Sequence, residues 1–271
     1  MGRLQDRVAI ITGGASGIGA AAARLFVAEG AKVVIGDIND TAGEPIATEL
    51  GNACVYAHVD HRSRDDNEAA VALAVDRFGR LDILYNNAGI GSGGRFENIS
   101  DDQLEQIISV NLTGPFRMTQ AALPALRDSA SSLEGGAAIV YTSSLQGISA
   151  RPYLTPYTAT KHGVIGLMKG LSLELAPENI RVNAVCPVST DTAMVRGFMS
   201  EDWTQAQKDE SVAKSGQSIP LGRVAQPIDI ANAALFLASA DAGMITGASL
   251  PVDGGMTAGI QDTAARRASR G

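Results

Sequence analysis

The 271-residue chain predicts an α/β fold, a doubly wound parallel sheet of seven strands with helices on both faces. Three observations carry this expectation. Short β-branched runs alternate with helix-period stretches from one end of the chain to the other. No low-complexity linker or internal repeat interrupts them, so residues 1–262 read as one domain. The first strand-like run also passes through a glycine-rich turn straight into a helical stretch.

The first strand is Arg7 to Thr12, with Val8, Ile10 and Ile11 as its apolar run. It leads into Gly13-Gly14-Ala15-Ser16-Gly17-Ile18-Gly19 and then an Ala-rich helix from Ala20 to Glu29. Glycines there let the backbone turn tightly and approach a pyrophosphate, whose charge the free amides at the helix start favour. The spacing of Gly13, Gly17 and Gly19 is TGxxxGxG, rarer than GxGxxG and so more specific, although a tight turn without a ligand also accounts for the glycines. The second strand, Lys32 to Asp37, ends in an acid 18 residues after Gly19. Such an acid accepts hydrogen bonds from an adenosine ribose and repels a 2′-phosphate. No Lys or Arg lies between Gly13 and Gly19 to bind that phosphate, and both facts point to NAD over NADP. The plainer alternative is that Asp37 caps the helix beginning at Asp40.

A third strand, Ala53 to Val59, ends at Asp60, where the carboxyl edge of the sheet would meet an adenine. In isolation Asp60 reads as a surface acid. Arg64 to Phe78 is an amphipathic helix stopped by Gly79. The fourth strand, Leu81 to Tyr85, runs into Asn86-Asn87-Ala88-Gly89, whose small and amide residues can pass under a ligand and tie neighbouring strands together. The next helical run starts at Ser100-Asp101 and is interrupted by Asn111; after Gly114 and Pro115 a further helix reaches Leu126. An amide buried in mid-helix needs partners, and a water chain is one set that would serve.

The fifth strand, Gly136 to Thr142, delivers Ser143 and Ser144 to the same edge. In the following helix, Pro156 to Glu174, Tyr157 and Lys161 are four residues apart and share one face. A phenol titrates near pH 10, so it serves as a base near neutrality only with a cation beside it, and Lys161 is placed to be that cation. The sixth strand, Ile180 to Val185, precedes Cys186-Pro187-Val188-Ser189-Thr190-Asp191-Thr192. Residues 192–223 mix Met194, Val195, Phe198, Met199 and Trp203 with polar residues and hold no core strand, the composition of a lid over a pocket or of a surface excursion. Pro227 opens a helix over Ile228 to Ala238, the seventh strand is Ser249 to Val252, and the arginine-bearing tail 263–271 is expected to be disordered.

Composition excludes several functions. A net charge of −7 with a pI near 5.0 disfavours nucleic acid and anionic membranes. Cys54 and Cys186 are too few for a disulfide framework, and His58, His61 and His162 form no ligand pattern, so no metal site is expected. There is no signal peptide or bilayer-length apolar run, and Asp6 stands where a myristoylation signal needs Ser or Thr. A cytoplasmic protein with a small-molecule substrate is the expectation.

Taken together, the Thr12-Gly13 loop, Asp60, Asn86-Asn87-Ala88-Gly89, Asn111, Ser144 and the Tyr157–Lys161 pair resemble the short-chain dehydrogenase/reductase family, in that family's order and from Arg7 to about Gly255. The resemblance implies a Rossmann-type dinucleotide-binding and catalytic domain. It implies that Tyr157 is the general acid/base, that Lys161 lowers its pKa and meets the nicotinamide ribose, that Ser144 holds the substrate oxygen, and that Asn111 supports a water-mediated proton path. Ser144 is preferred to Ser143 because the family places its serine 13 residues before the tyrosine. The cofactor NAD would lie along Gly13, Ser16, Gly17, Ile18, Gly19, Asp37, Asp60, Asn87, Tyr157, Lys161, Val188, Thr190 and Thr192. One departure stands out: the family's Pro-Gly after the sixth strand is Pro187-Val188 here, and a valine does not take up glycine's backbone angles cheaply. The implied activity is NAD-dependent interconversion of a secondary alcohol and a ketone in a small to medium, largely apolar substrate, by a homotetramer. An NADP-dependent carbonyl reductase and a non-catalytic NAD sensor of the same fold are the rivals.

Overall fold

The computed structural model describes residues 2–197 and 202–259. Phe198 and Met199 of the expected lid, and the tail 263–271, lie outside the described residues. Seven parallel strands form one sheet: β1 Val8–Thr12, β2 Lys32–Asp37, β3 Cys54–His58, β4 Ile83–Asn86, β5 Ala137–Thr142, β6 Ile180–Pro187 and β7 Ser249–Val252. Their spatial order is β3-β2-β1-β4-β5-β6-β7, so the winding direction reverses between β1 and β4. Loops leaving the carboxyl ends of those two strands diverge there and leave a crevice.

Alternation along the strands decides which layer each residue joins. Ala9 and Ile11 of β1 face a core with α1 (Gly17–Ala28) and α9 (Pro227–Ala238), including Phe26, Ile230 and Leu235. Val8 and Ile10 face the opposite core, closed by α3 (Arg64–Phe78), α5 (Gly114–Ala130) and α6 (Thr155–Leu175) through Val71, Met118 and Met168. The central strands are buried on both faces, which explains their near-continuous apolar runs.

Helix boundaries follow local signals. Gly79 ends α3 in the left-handed region at φ 83°. Asn39, and not Asp37, caps α2 (Asp40–Leu50) by accepting from the Ala42 amide at 3.1 Å. Ser100 and Gln103 form a capping box on α4 (Asp101–Ile108). The interruption at Asn111 is a π-helical turn, Ser109–Thr113, that joins α4 to α5 without a break in the chain's direction. Between β6 and α9 lie α7 (Ala193–Gly197) and α8 (Gln205–Gly216), with a small cluster of Val212, Ile219 and Val224 beneath them. Among the described residues no helix is long and apolar enough to cross a membrane.

Candidate active site

The carboxyl ends of the strands open into one cleft of about 1470 Å³. Every candidate residue except Gly19 and Asn111 lines it, and those two stand just behind its wall.

At one end lies the turn after β1. Gly13 and Gly17 sit at φ +64° and +50°, conformations that cost a side-chain-bearing residue strain. A Cβ on Gly19 would lie 2.1 Å from the Gly13 carbonyl oxygen, so α1 packs onto the turn only because that position is bare. Ser16 is the N-cap of α1, yet its hydroxyl makes no cap bond, and the first turn carries no acid. No side-chain cap therefore takes up the amides of that turn, and the helix start presents its positive partial charge beside Ser16 and Ile18. Asp37 closes this end: its carboxylate accepts from the Ala15 amide and from the Asn39 amide, each at 3.0 Å. Asp60 lines the cleft as well but is held by the Arg62 guanidinium at 2.6 Å, which keeps the Asp60 carboxyl below its usual range. His61 was not singled out by sequence; burial pushes its imidazole down to about 4, so it is neutral at this end of the cleft.

Asn87 ties three strands. Its side-chain amide donates to the Thr12 and Gly13 carbonyls at 3.1 and 3.2 Å and accepts from the Thr142 hydroxyl at 3.1 Å. The Thr12 hydroxyl in turn accepts from the Asn87 and Ala88 amides, both at 3.1 Å. Asn87 thus holds the glycine turn against β4 and β5.

The other end is built on β5 and α6. Ser143 donates to the Lys161 carbonyl at 3.0 Å, which commits that hydroxyl to the fold. Ser144 instead faces the Tyr157 phenol and accepts from the Gln146 amide at 3.1 Å. Burial raises the phenol's pKa, and the Ser144 hydroxyl pulls against that rise. Lys161 donates to the Thr142 carbonyl at 2.8 Å, and its ammonium lies 5.6 Å from the centre of the Tyr157 ring. Burial lowers Lys161 to about 8. In the protein alone the phenol therefore stays protonated at neutral pH, because desolvation outweighs the Ser144 hydrogen bond that favours the ionised form.

Asn111 reaches the site from the π-helical turn. Its amide accepts from the Ile90 N–H at 2.8 Å and donates to the Ile90 carbonyl at 2.9 Å, clamping the loop that follows β4. The same amide lies 3.3 Å from the Thr160 hydroxyl, next to Lys161. A Cβ on Gly89 would sit 3.2 Å from the Asn111 oxygen and 3.5 Å from the Lys161 ammonium, so only a glycine separates the two. The clamp on Ile90 and the Thr142 carbonyl were missed from sequence, since backbone partners leave no residue-type signal.

On the third side Val188 packs between the main core and the small cluster under α8. Its φ is not positive, so the family's glycine is replaced at that point without backbone strain. The Val188 carbonyl accepts from the Thr190 hydroxyl at 2.9 Å. Thr192 projects over the glycine turn: its methyl group would be 3.1 Å from a Cβ on Gly17. Met194 and Val195 then line the same cleft as Leu145, Ile148 and Leu154. Tyr153 stands at its mouth, 64% exposed and held at φ +67°.

This arrangement can bind an extended dinucleotide at its glycine end and move a proton at its tyrosine end. A family model described as enoyl-(acyl carrier protein) reductase matches residues 13–257. The 3-alpha-(or 20-beta)-hydroxysteroid dehydrogenase of Mycobacterium tuberculosis is 39% identical over 96% of this chain and 92% of its own length. The trans-4-hydroxycyclohexanecarboxylate dehydrogenase of Sinomonas cyclohexanicum is 36% identical over 95% of each chain. A crystal structure of the 3-ketoacyl-(acyl-carrier-protein) reductase of Brucella melitensis, complexed with NADH, superposes with a TM-score of 0.85 at 38% identity, over 94% of this chain and 99% of that one. The chain belongs to the short-chain dehydrogenase/reductase family, oxidoreductases of hydroxyl and keto groups that bind a nicotinamide cofactor.

Proposed function

We propose that this protein is an NAD-dependent dehydrogenase/reductase that interconverts a secondary alcohol and a ketone in a small to medium, largely apolar substrate. The observation that carries the reading is the convergence of Ser144, Tyr157 and Lys161 on one wall of a cleft whose far end is the glycine turn and Asp37.

The residues fit a dinucleotide. The uncapped start of α1 suits a pyrophosphate, with Gly13, Ser16, Gly17, Ile18 and Gly19 shaping its seat. Asp37 supports a ribose bearing a free 2′-hydroxyl and repels a phosphate there. Arg62, the basic side chain beside it, is already engaged by Asp60. Asn87, Val188, Thr190 and Thr192 would hold the nicotinamide half. When bound, the cofactor supplies the redox chemistry at the alcohol carbon.

The protein's own part is proton transfer and positioning. Toward a ketone, the protonated Tyr157 hydroxyl donates to the developing oxyanion while Ser144 holds that oxygen. Toward an alcohol, Tyr157 must first lose its proton. With the phenol's pKa raised above its ordinary value, oxidation climbs with pH through the neutral range, while reduction stays level there and falls only at alkaline pH. Lys161, anchored on Thr142, supplies positive charge near the phenol below about pH 8. Asn111, through Ile90, keeps the loop after β4 beside Lys161, and a proton path from that ammonium would run along it. We place residues 192–223 as the lid over the substrate and infer a homotetramer, whose contacts would use the exposed Leu104, Phe116 and Leu173 on the outer helices. Light scattering at the mass of a monomer overturns the tetramer.

Tyr157→Phe tests the chemistry. The variant should lose about 10³-fold in kcat/KM on any ketone or alcohol the wild-type protein turns over, with NADH affinity kept within about threefold. Near-wild-type turnover overturns the role. Titration of the wild-type protein should show NADH binding at least about tenfold tighter than NADPH, and equal affinities overturn the part given to Asp37.

A further inference from the structure

Charge is divided unevenly along the cleft. The acids that line it are Asp37 and Asp60, both at the glycine end and both engaged, Asp37 by the Ala15 and Asn39 amides and Asp60 by Arg62. At the tyrosine end, among the described residues, no carboxylate lines the wall, and its two cations are Lys161 and Arg151. The rest of that wall mixes apolar side chains with the uncharged Gln106, Ser149 and Ser218. An acid-free end of a cleft, cut into a chain of net charge −7, attracts anions against the sign of the molecule as a whole.

Lys161 is already committed: it is buried and donates to the Thr142 carbonyl. Arg151 is not. Every other arginine among the described residues is held by a carboxylate, a backbone carbonyl or an aromatic ring. The Arg151 guanidinium has no such partner among them and stands exposed on the cleft. Its backbone is fixed even so. On one side Ser149 donates to the Leu145 carbonyl at 3.0 Å; on the other the Tyr153 carbonyl accepts from the Gly94 amide at 2.8 Å. Gly93 packs against that exit so closely that a Cβ there would lie 2.7 Å from the Tyr153 oxygen. Tyr153 takes up the left-handed angle of +67° to make the bend, an uncommon conformation for a residue with a side chain. The chain between Ser144 and Tyr157 thus carries Arg151 on a turn pinned at both ends.

We propose that Arg151 binds a carboxylate of the substrate, so that the preferred substrates are hydroxy acids and keto acids whose acid group is separated from the reacting carbon by an apolar skeleton. The proposal rests on the dehydrogenase reading above and adds a charge requirement to it. A guanidinium presents a planar fork of donors that matches the two oxygens of a carboxylate, and one without a partner in the fold has no bond to give up. A phosphate, more highly charged, calls for a cluster of cations, and Arg151 has no second uncommitted cation beside it on this wall. The acid group is unchanged by the reaction: in reduction the carbonyl carbon gains the hydride and its oxygen gains the Tyr157 proton, and oxidation of the hydroxy acid reverses both transfers.

The test compares 4-oxopentanoate, 6-oxoheptanoate, 3-acetylbenzoate and 4-acetylbenzoate with their methyl esters, each supplied with NADH and with NADPH. The acids scan the distance between the reacting carbon and the carboxylate. For the best pair, wild-type kcat/KM should favour the acid over its ester by about tenfold or more. Arg151→Gln should bring that ratio to about unity through a loss on the acid, and Arg151→Glu should reverse it. Both variants replace an exposed side chain without a partner in the fold, so folding is left intact. A wild-type protein that shows no preference for the acid in any pair, or a preference that either variant leaves unchanged, overturns the carboxylate site. Saturation-transfer NMR on Tyr157→Phe reads binding without turnover: the acid's signal should exceed the ester's and weaken when Arg151→Gln is added. Equal signals, or an acid signal that Arg151→Gln leaves undiminished, overturn the site. If no compound is turned over with either cofactor while that binding preference holds, the dehydrogenase reading fails and the carboxylate site stands.

Discussion

The two ends of the cleft are built by different means. The glycine end is made of backbone: the turn after β1 approaches α1 so closely that a single methyl group on Gly19 collides with Gly13, and Asn87 holds it against β4 and β5. The substrate end is made of side chains. Between β6 and α9 it rests on α7, α8 and a small cluster of Val212, Ile219 and Val224, with Met194 and Trp203 partly in solvent. A backbone-built site tolerates one ligand shape, whereas a side-chain wall is altered by ordinary substitutions. The difference teaches why the chemistry of this chain is easier to assign than its substrate.

Three substitutions sharpen or break that contrast. The largest effect is expected for Gly19→Ala, which places a Cβ 2.1 Å from the Gly13 oxygen. It should cost about 2–4 kcal/mol in stability and about 100-fold in NADH affinity, read by thermal unfolding and fluorescence titration. NADH affinity within twofold of wild type would show that the glycine end yields as easily as the substrate end.

Lys161→Met probes the junction of the two ends. The folded pKa of Lys161, about 8, lies below the ordinary 10.5, so the native state binds fewer protons than the unfolded chain between those values. Stability attributable to this residue therefore rises with pH across that window, and below about 8 the buried ammonium is a cost. The variant should abolish turnover yet raise Tm at pH 7 by about 2–5 °C, the gain shrinking toward pH 10.5, even though the Thr142 carbonyl loses its donor. A lower Tm at pH 7 would mean that the hydrogen bond outweighs the desolvation.

The smallest effect is expected at the side-chain wall. Met194→Ala should raise KM for an apolar ketone by about 3–10-fold while leaving NADH affinity unchanged. Loss of NADH affinity on a par with Gly19→Ala would erase the distinction between the two ends.

The same contrast governs what the sequence discloses. Tight backbone approaches demand glycine, so Gly13, Gly17 and Gly19 announced the turn, and the alternating β-branched runs announced the sheet. Tyr157 and Lys161 share a helix face because the helix repeat requires it, and the 3.6-residue period is readable from spacing alone. Asn111 was legible as an anomaly, whereas the π-helical turn that carries it and its grip on Ile90 were not, since the partner is main chain. The raised pKa of Tyr157 follows from desolvation, a property of packing that no spacing encodes. Val188 looked like a liability because composition does not state a dihedral angle; the backbone there never enters the region glycine would have been needed for.

Thr192 leans on Gly17, so the root of the 192–223 segment and the glycine turn share a wall. Two ligands that press on opposite sides of one wall are thermodynamically linked. If a bound nucleotide changes the affinity for the alcohol by some factor through this contact, the alcohol must change the affinity for the nucleotide by that same factor. Trimming the threonine methyl by Thr192→Ser would loosen the exchange in both directions equally, and so separate cooperation between the ligands from the strength with which either one binds alone.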